Sequence, residues 1–250
     1  MKLKPAPKEK LKLIRALSLK KNRVAHKLFL IEGAKSVKEL LNSQFDISFL
    51  LSTQTFLDQN AALLNKCPFP LFMAKVSDIE RSGSLKTNNS AIAVAKIPEN
   101  KPLAPNKSEY ILALDDVRDP GNLGAIIRIA DWYGITKLIL SKNCADPYNP
   151  KTIIASMGSF TRVSFHQTNL FKYLEKSACQ KIGATMEGQS IHKIKIATPA
   201  IIALGNESNG LSKLVLDSVN KTVSIPRFGH AESLNVAMAA AVICDNLKRS

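Results

Sequence analysis

From residue 110 onwards the chain contains six short strand-like runs that alternate with stretches of helical character, and no other feature limits its fold as strongly. Runs of four or five residues bounded by polar or glycine-containing segments are typical of buried strands. When such strands alternate with helices, the connections fit a mainly parallel sheet that is covered by helices. The predicted fold class is therefore α/β, with strands at residues 110–114, 137–141, 162–165, 182–186, 201–204 and 222–225.

The first hundred residues show the same alternation on a smaller scale. The predicted strands of this part are 29–32, 47–51, 70–73 and 91–97, and the predicted helices are 34–42, 54–65 and 76–81. The segment 98–108 contains three prolines and few apolar residues, which favours an extended, semi-stiff linker. We therefore predict a smaller α/β domain at residues 1–100, a linker at 101–108 and a second domain at 109–250.

The charge of the chain predicts a polyanionic partner. Lysine and arginine outnumber the acidic residues by 35 to 20, which gives a formal charge of +15. A field of this sign attracts nucleic acid, and residues 1–27 hold ten of the basic residues. Leu11, Ile14, Leu17 and Leu19 recur there near helical spacing, which predicts an amphipathic helix with a cationic outer face. A solubilising face without a partner is the alternative interpretation.

Several classes of protein are excluded by what the sequence lacks. No apolar run approaches the ~18 residues of a membrane span and no signal core follows the basic start, so a cytoplasmic protein without a membrane partner is expected. The four cysteines and four histidines lack the spacing of a disulfide framework or a metal site, and no metal is predicted. Phosphate-loop, dinucleotide and nucleophile-elbow motifs are also missing, which excludes nucleotide hydrolysis and ordinary dinucleotide binding.

Polar, glycine-containing loops follow three of the predicted strands. In the first loop, Asp119 and Pro120 form a typical N-cap and first-turn pair of a helix. This helix carries Asn122 at its start and Arg128 further along. A surface pair between Arg128 and Asp131 at i, i+3 spacing is the alternative role for the arginine.

The second and third loops have the same character. Gly205 and Gly210 bracket the second loop, which carries Glu207. Turn glycines and an acid at a helix start would explain this loop without a ligand. The third loop leads from a strand end at Ile225 into the last helix, and Ser233 is placed to cap that helix.

Each loop taken alone is explained as a structural connector. A site is indicated because three such loops follow strands of the same predicted sheet. Parallel strands end at one edge of a sheet, and ligands of open α/β sheets bind at that edge. One shared site is therefore predicted, with these side chains among its members: Asn122, Arg128, Glu207, Ser233 and Asn235.

Three motifs of the second domain carry a family resemblance. They are Asp119-Pro120-Gly121-Asn122-x-Gly124-x-x-x-Arg128, Gly205-Asn206-Glu207-x-x-Gly210-Leu211-Ser212, and Ile225-Pro226 followed by Ser233-Leu234-Asn235-Val236. In this order they resemble the signature motifs of the SpoU/TrmH family of RNA 2′-O-ribose methyltransferases, in the SPOUT superfamily. The resemblance covers about residues 108–248, while residues 1–100 resemble the ribosomal-protein-like substrate domain that often precedes this catalytic domain.

The resemblance implies a cofactor, a reaction centre and an assembly. S-adenosylmethionine would be held largely by backbone at Gly205, Ile225 and Leu234. The implied reaction centre consists of Asn122, Arg128, Glu207, Ser233 and Asn235, and it requires no metal. A deep trefoil knot and an obligate homodimer with the active site at the interface are also implied. The sequence departs from the family pattern only at Ile129, Arg227, Phe228 and Ala237.

The implied reaction is methyl transfer from a sulfonium to a ribose 2′-hydroxyl of RNA. We interpret Arg128 as holding the RNA phosphate and stabilising developing negative charge, with the general base left open. 23S-type ribosomal RNA is the preferred substrate, because the first domain resembles an rRNA-recruiting module. The alternatives are a tRNA 2′-O-methyltransferase and a non-catalytic RNA-binding or ribosome-assembly factor. Methylation of a base is disfavoured by the motif set.

Overall fold

The computed structural model of the protein describes residues 4–65, 67–85 and 87–249. Lys2, one of the ten basic residues of the first 27, lies outside the described residues. The chain forms two compact units. The first consists of the chain up to Glu99 together with Tyr148–Thr161, and the second consists of Asn100–Pro147 and the chain from Arg162 onwards.

The first unit is a five-stranded sheet with helices. Its strands are β1 (Lys4–Pro5), β2 (Leu28–Glu32), β3 (Ile47–Ser52), β4 (Leu71–Met73) and β5 (Ala91–Lys96). Its first six helices are α1 (Lys8–Ala16), α2 (Lys20–His26), α3 (Ala34–Leu41), α4 (Gln54–Gln59), α5 (Ala61–Leu64) and α6 (Val76–Ser82). The strand order is β1-β4-β3-β5-β2, with β5 antiparallel to both of its neighbours. The four strands and the helices predicted in this part are confirmed within a few residues, except for one helix.

That exception is the helix predicted over 54–65, which is interrupted at Asn60. This residue is buried, and its backbone leaves the helical region at φ −128°. Its side-chain amide donates to the carbonyl oxygen of Phe56 at 2.7 Å. A side chain that bonds a nearby backbone group competes with the helix, which explains the break.

The basic N-terminal segment forms two helices and not one. Ile14 and Leu17 are buried as predicted, but Leu19 is 53% exposed and lies between the helices. Arg23 is buried, and its guanidinium donates to the carbonyl oxygens of Leu17 at 2.9 Å and Ser18 at 2.8 Å. This cation therefore holds the end of α1, and it is buried although it counts among the basic residues of the segment 1–27.

An aromatic cluster joins the segment Tyr148–Thr161 to the first unit. Phe29 packs against Tyr148 with ring centroids 4.8 Å apart and against Phe160 at 6.0 Å. Phe45 lies 5.7 Å from Phe160. The cluster is built from residues more than a hundred positions apart, so local sequence patterns gave no signal for it.

The second unit is a six-stranded parallel sheet, as predicted. Its strands are β6 (Tyr110–Leu114), β7 (Lys137–Ser141), β8 (Ser164–Thr168), β9 (Gln180–Ser190), β10 (Ala200–Leu204) and β11 (Lys221–Ser224). The remaining helices are α7 (Pro120–Trp132), α8 (Pro150–Ser156), α9 (Leu170–Lys176), α10 (Lys213–Ser218) and α11 (Val236–Arg249), of which α8 belongs to the first unit. The strand order is β11-β9-β10-β6-β7-β8. The trefoil knot implied by the resemblance stays a prediction.

The proline-rich segment is fixed along the second unit. The side chain of Asn100 donates to the carbonyl oxygen of Gln167 at 2.8 Å and accepts from its amide at 2.9 Å. The carbonyl oxygen of Leu103 accepts from the hydroxyl of Tyr173 at 2.8 Å. These bonds make the segment part of the folded unit, which its proline content alone did not predict. Within the described part of the chain, no helix is both long and apolar enough to cross a bilayer.

Replacing Phe160 by alanine should lower the free energy of unfolding of the first unit by about 3–5 kcal/mol, because a fully buried ring is lost from the aromatic cluster. Calorimetric or denaturant-induced unfolding measures the change. Val24 of the same unit is 64% exposed, so Val24→Ala is the control and should change stability by less than about 0.5 kcal/mol. Equal losses in both variants would contradict the assignment of Phe160 to the core.

Candidate active site

Three polar loops leave the same edge of the parallel sheet. β6 and β10 pair in register, with Leu114 opposite Leu204, so the loops that follow them begin side by side. β11 runs parallel to β9, which in turn runs parallel to β10, and its following loop leaves at the same edge. The predicted convergence of the three loops is therefore explained by the pairing of their strands.

Three of the predicted side chains form one hydrogen-bonded chain across these loops. Asn122 donates from its side-chain amide to Glu207 Oε1 at 2.5 Å. Its side-chain oxygen accepts from Asn235 Nδ2 at 3.0 Å. Asn122 is held in turn by the N-cap of α7, because its backbone amide donates to Asp119 Oδ1 at 2.8 Å. The predicted N-cap is confirmed, and residues from all three loops meet at Asn122.

The last helix is capped by a different residue from the one predicted. α11 begins at Val236, and Asn235 Oδ1 accepts from the backbone amide of Ala237 at 2.9 Å. Ser233 is exposed and lies two residues before Asn235 in the loop. The interpretation of Ser233 as the cap is wrong, because the chain enters the helix later than the serine. Asn235 therefore both caps α11 and contacts Asn122.

Arg128 lies on the exposed surface of α7. It makes no hydrogen bond or ion pair with any residue that the structure describes. Its predicted alternative partner, Asp131, forms a bidentate pair with Arg162 at 2.9–3.0 Å instead. The alternative role of Arg128 as half of a surface pair with Asp131 is therefore wrong, and its guanidinium is available to a ligand.

A cleft of about 1140 Å³ lies beside this hydrogen-bonded chain. Its wall includes all three residues predicted to hold a cofactor, Gly205, Ile225 and Leu234, together with Glu207 and Ser233. None of those three makes a hydrogen bond to another residue in the described ranges, so their backbone N–H and C=O groups can bind a ligand. Among all the residues that the structure describes, no group of three or more His, Cys, Asp or Glu side chains could hold a metal ion.

The glycines of the second loop shape the cleft in different ways. Asn206 and Gly210 exchange two backbone hydrogen bonds of 2.9 Å, which close the loop into a tight turn. Gly210 has φ +66°, a backbone conformation that favours glycine. It is therefore a turn glycine, as one of the two interpretations of the sequence expected. A side chain at Gly205 would collide with the backbone of Gly210 and Leu211. The turn therefore requires glycine at both positions, for two separate reasons.

Two residues that support the second loop were missed in the sequence. Asp115 is buried, and its carboxylate accepts from the backbone amide of Ser212 at 2.8 Å. Asn206 donates from its side chain to the carbonyl oxygen of Asp116 at 2.9 Å and accepts from the amide of Ser208 at 2.9 Å. Two signals for these supporting residues were present in the sequence. They were two adjacent aspartates at a strand end and an asparagine in a glycine-containing loop. Neither pattern specifies a partner that lies about ninety residues away.

Comparison with known proteins relates both parts of the chain to described families. Residues 109–245 match the SpoU rRNA Methylase family, and residues 8–81 match the MRM3-like substrate binding domain. The chain is 29% identical over 251 residues to the 23S rRNA (guanosine(2553)-2′-O)-methyltransferase RlmP of Bacillus subtilis, with 98% of each chain covered.

Two solved structures resemble the chain over nearly its whole length. A structure from Porphyromonas gingivalis that is assigned to the TrmH family has a TM-score of 0.85 and 31% identity, and the match covers 98% of each chain. An AdoMet-bound rRNA methyltransferase from Sinorhizobium meliloti has a TM-score of 0.87 and 27% identity, covering 98% of this chain and 96% of the other. The second unit thus has the fold of a SpoU/TrmH-type methyltransferase. The chain belongs to the SpoU rRNA methylase family.

Substituting alanine for Gly205 should lower stability by roughly 1–3 kcal/mol, because the added methyl group forces the turn at Gly210 to move. Thermal unfolding followed by circular dichroism measures the change. Gly229 also lines the cleft, but a methyl group there would meet nothing within 4 Å, so Gly229→Ala is the matched control and should unfold like the wild type. Unchanged stability of the Gly205 variant would show that the loop tolerates a wider turn.

Proposed function

We propose that this protein transfers the methyl group of S-adenosylmethionine to a ribose 2′-hydroxyl of ribosomal RNA. The observation that carries the proposal is the hydrogen-bonded chain from Asn235 through Asn122 to Glu207, which reaches the cleft at Glu207. Polar side chains that fix one another in this way provide a preorganised centre next to a ligand cleft.

The cleft fits S-adenosylmethionine in its chemistry. The unpaired backbone groups of Gly205, Ile225 and Leu234 can bind the polar edges of the cofactor, and the side chains of Ile225 and Leu234 offer apolar contact area. Glu187 and Glu232 also line the cleft and complement a positively charged sulfonium. When bound, the cofactor supplies an electrophilic methyl group.

The side chains of the centre support attack by the hydroxyl oxygen. The second amide hydrogens of Asn122 and Asn235 and the second oxygen of Glu207 have no partner among the described residues. The amides can donate to an oxygen that becomes negatively charged, and the carboxylate can accept a hydrogen bond from the hydroxyl. Arg128 can hold an RNA phosphate nearby and stabilise the same charge, because arginine does not lose its proton in proteins.

Ribosomal RNA is favoured over tRNA by the name of a relative, and exposed lysines suit RNA in general. The relative from Bacillus subtilis that matches over nearly the full chain is named as a 23S rRNA enzyme. The first unit adds exposed lysines on α1 and α2, at Lys8, Lys12, Lys20 and Lys21. Such a cationic surface suits a phosphate backbone.

We also propose that the protein works as a homodimer in the cytoplasm. Large apolar side chains are exposed around the cleft of the single chain, and Phe228 and Leu234 are 97% and 49% exposed. A cluster of this kind is typical of a protein–protein contact. A second copy would cover these side chains and enclose the cleft, as the family resemblance implies.

The proposed activity predicts the results of two successive experiments. Isothermal titration calorimetry should detect S-adenosylmethionine binding to the wild-type protein. Nucleoside analysis of ribosomal RNA from a deletion strain should then find one 2′-O-methyl nucleotide missing, which identifies class and target together. Absence of cofactor binding would instead support a non-catalytic RNA-binding factor.

Asn235 allows the chemical and structural roles of one residue to be separated. Asn235→Ala removes both bonds, so we expect a loss of about 1 kcal/mol of stability and a loss of at least about 100-fold in kcat. Asn235→Asp keeps an acceptor that caps α11 but loses the donor to Asn122. This variant should lose less stability than Asn235→Ala and still lose activity. Wild-type turnover in the Asp variant would leave Asn235 with the cap as its only role.

A further inference from the structure

A second arginine, Arg118, lies on the exposed loop between β6 and α7, four residues before Asn122 in the chain. Its side chain is 68% exposed, yet it is held in a defined orientation. Arg118 Nε donates to Asp116 Oδ1 at 3.0 Å, and Nη2 donates to Asp116 Oδ2 at 2.7 Å. These bonds use two of the five N–H donors of a guanidinium, so three remain for another partner.

Asp116 is itself fixed from two sides. Its backbone adopts the left-handed conformation, with φ +62°. Its amide donates to the hydroxyl of Ser141 at 2.9 Å, and its carbonyl oxygen accepts from Asn206 Nδ2 at 2.9 Å. Because Asn206 belongs to the loop that forms the cleft, the orientation of Arg118 is set by the same turn that shapes the cofactor site.

The position of this pair distinguishes it from another pair of the same kind. Arg162 and Asp131 also form a bidentate, partly exposed pair. However, Arg162 precedes β8 and Asp131 lies in the last turn of α7, so both belong to the amino edge of the parallel sheet. Arg118 follows β6 and therefore lies at the carboxyl edge, where the three polar loops meet.

We propose that Arg118 binds a phosphate of the RNA strand next to the target nucleotide and that Asp116 orients it for this contact. This inference rests on the proposed function, because it assigns a substrate contact at the same site. A planar guanidinium matches a phosphate with two parallel hydrogen bonds, and an arginine that is already oriented loses less conformational freedom on binding. Arg128 and Arg118 would then hold the RNA backbone from α7 and from the loop that precedes it.

The test compares Arg118→Gln, Arg118→Lys and the matched control Arg162→Gln with the wild type. Binding of an unmodified 23S rRNA transcript is measured by fluorescence anisotropy over a range of KCl concentrations. KM for the transcript, kcat, and the Kd of S-adenosylmethionine are measured alongside. Thermal unfolding establishes that each variant is folded.

Loss of one phosphate contact has a defined effect on salt dependence. Arg118→Gln should reduce the slope of log K against log salt by about 0.7–0.9 and raise KM for RNA roughly tenfold. The values of kcat and the cofactor Kd should stay within about twofold, since neither the reacting groups nor the cleft is altered. Arg118→Lys keeps the charge but not the planar fork, so it should keep the salt slope and raise KM. Arg162→Gln should match the wild type throughout.

Three results would overturn the inference. The first is an Arg118→Gln variant with the same slope and KM as Arg162→Gln. The second is a loss of cofactor affinity or kcat at unchanged KM, which would make Arg118 a support of the cleft loop. The third is a wild-type protein that does not bind the transcript. If the wild type binds the transcript but transfers no methyl group, the proposed function fails while the salt slope still decides the role of Arg118.

Discussion

The in-register parallel pairing of β6 with β10 is the interaction on which the site depends. It places Leu114 opposite Leu204, so the two loops that follow leave the sheet side by side. The loops can then brace each other, with Asp115 accepting from the amide of Ser212 and Asn206 donating to the carbonyl oxygen of Asp116. A shift of one residue in this pairing would separate these groups and also turn every side chain of the strand to the other face.

The third loop is tied to the first two through Asn235, whose side chain makes two different hydrogen bonds. Asn235 caps α11 with its oxygen and contacts Asn122 with its nitrogen, and α11 packs against α7. The packing of the two helices therefore sets the distance between two members of the proposed reaction centre. An amide is suited to this position because it carries its acceptor and its donors on two separate atoms, which can face different partners.

Local patterns predicted the elements of the second unit well, because each depends on neighbours in sequence. The strand periodicity and the Asp119 cap of α7 belong to this group. The cap of α11 could not be predicted in this way. Whether Asn235 or Ser233 caps the helix depends on where the chain turns into it. The pairing of Asp131 with Arg162, thirty-one residues away, could not be predicted either, since the nearer Arg128 satisfied the spacing rule.

The sequence by itself determined the α/β class, the position of the three loops and the family of the protein, because apolar periodicity and short motifs are properties of adjacent residues. Only the tertiary structure decided which polar groups meet. It joined Asn235 to Asn122 and Glu207, left Arg128 unpaired within the described chain, and placed Phe160 in the core of the first unit. Hydrogen bonds and ring contacts depend on distances of a few ångströms across strands and helices, and sequence spacing carries no information on such distances.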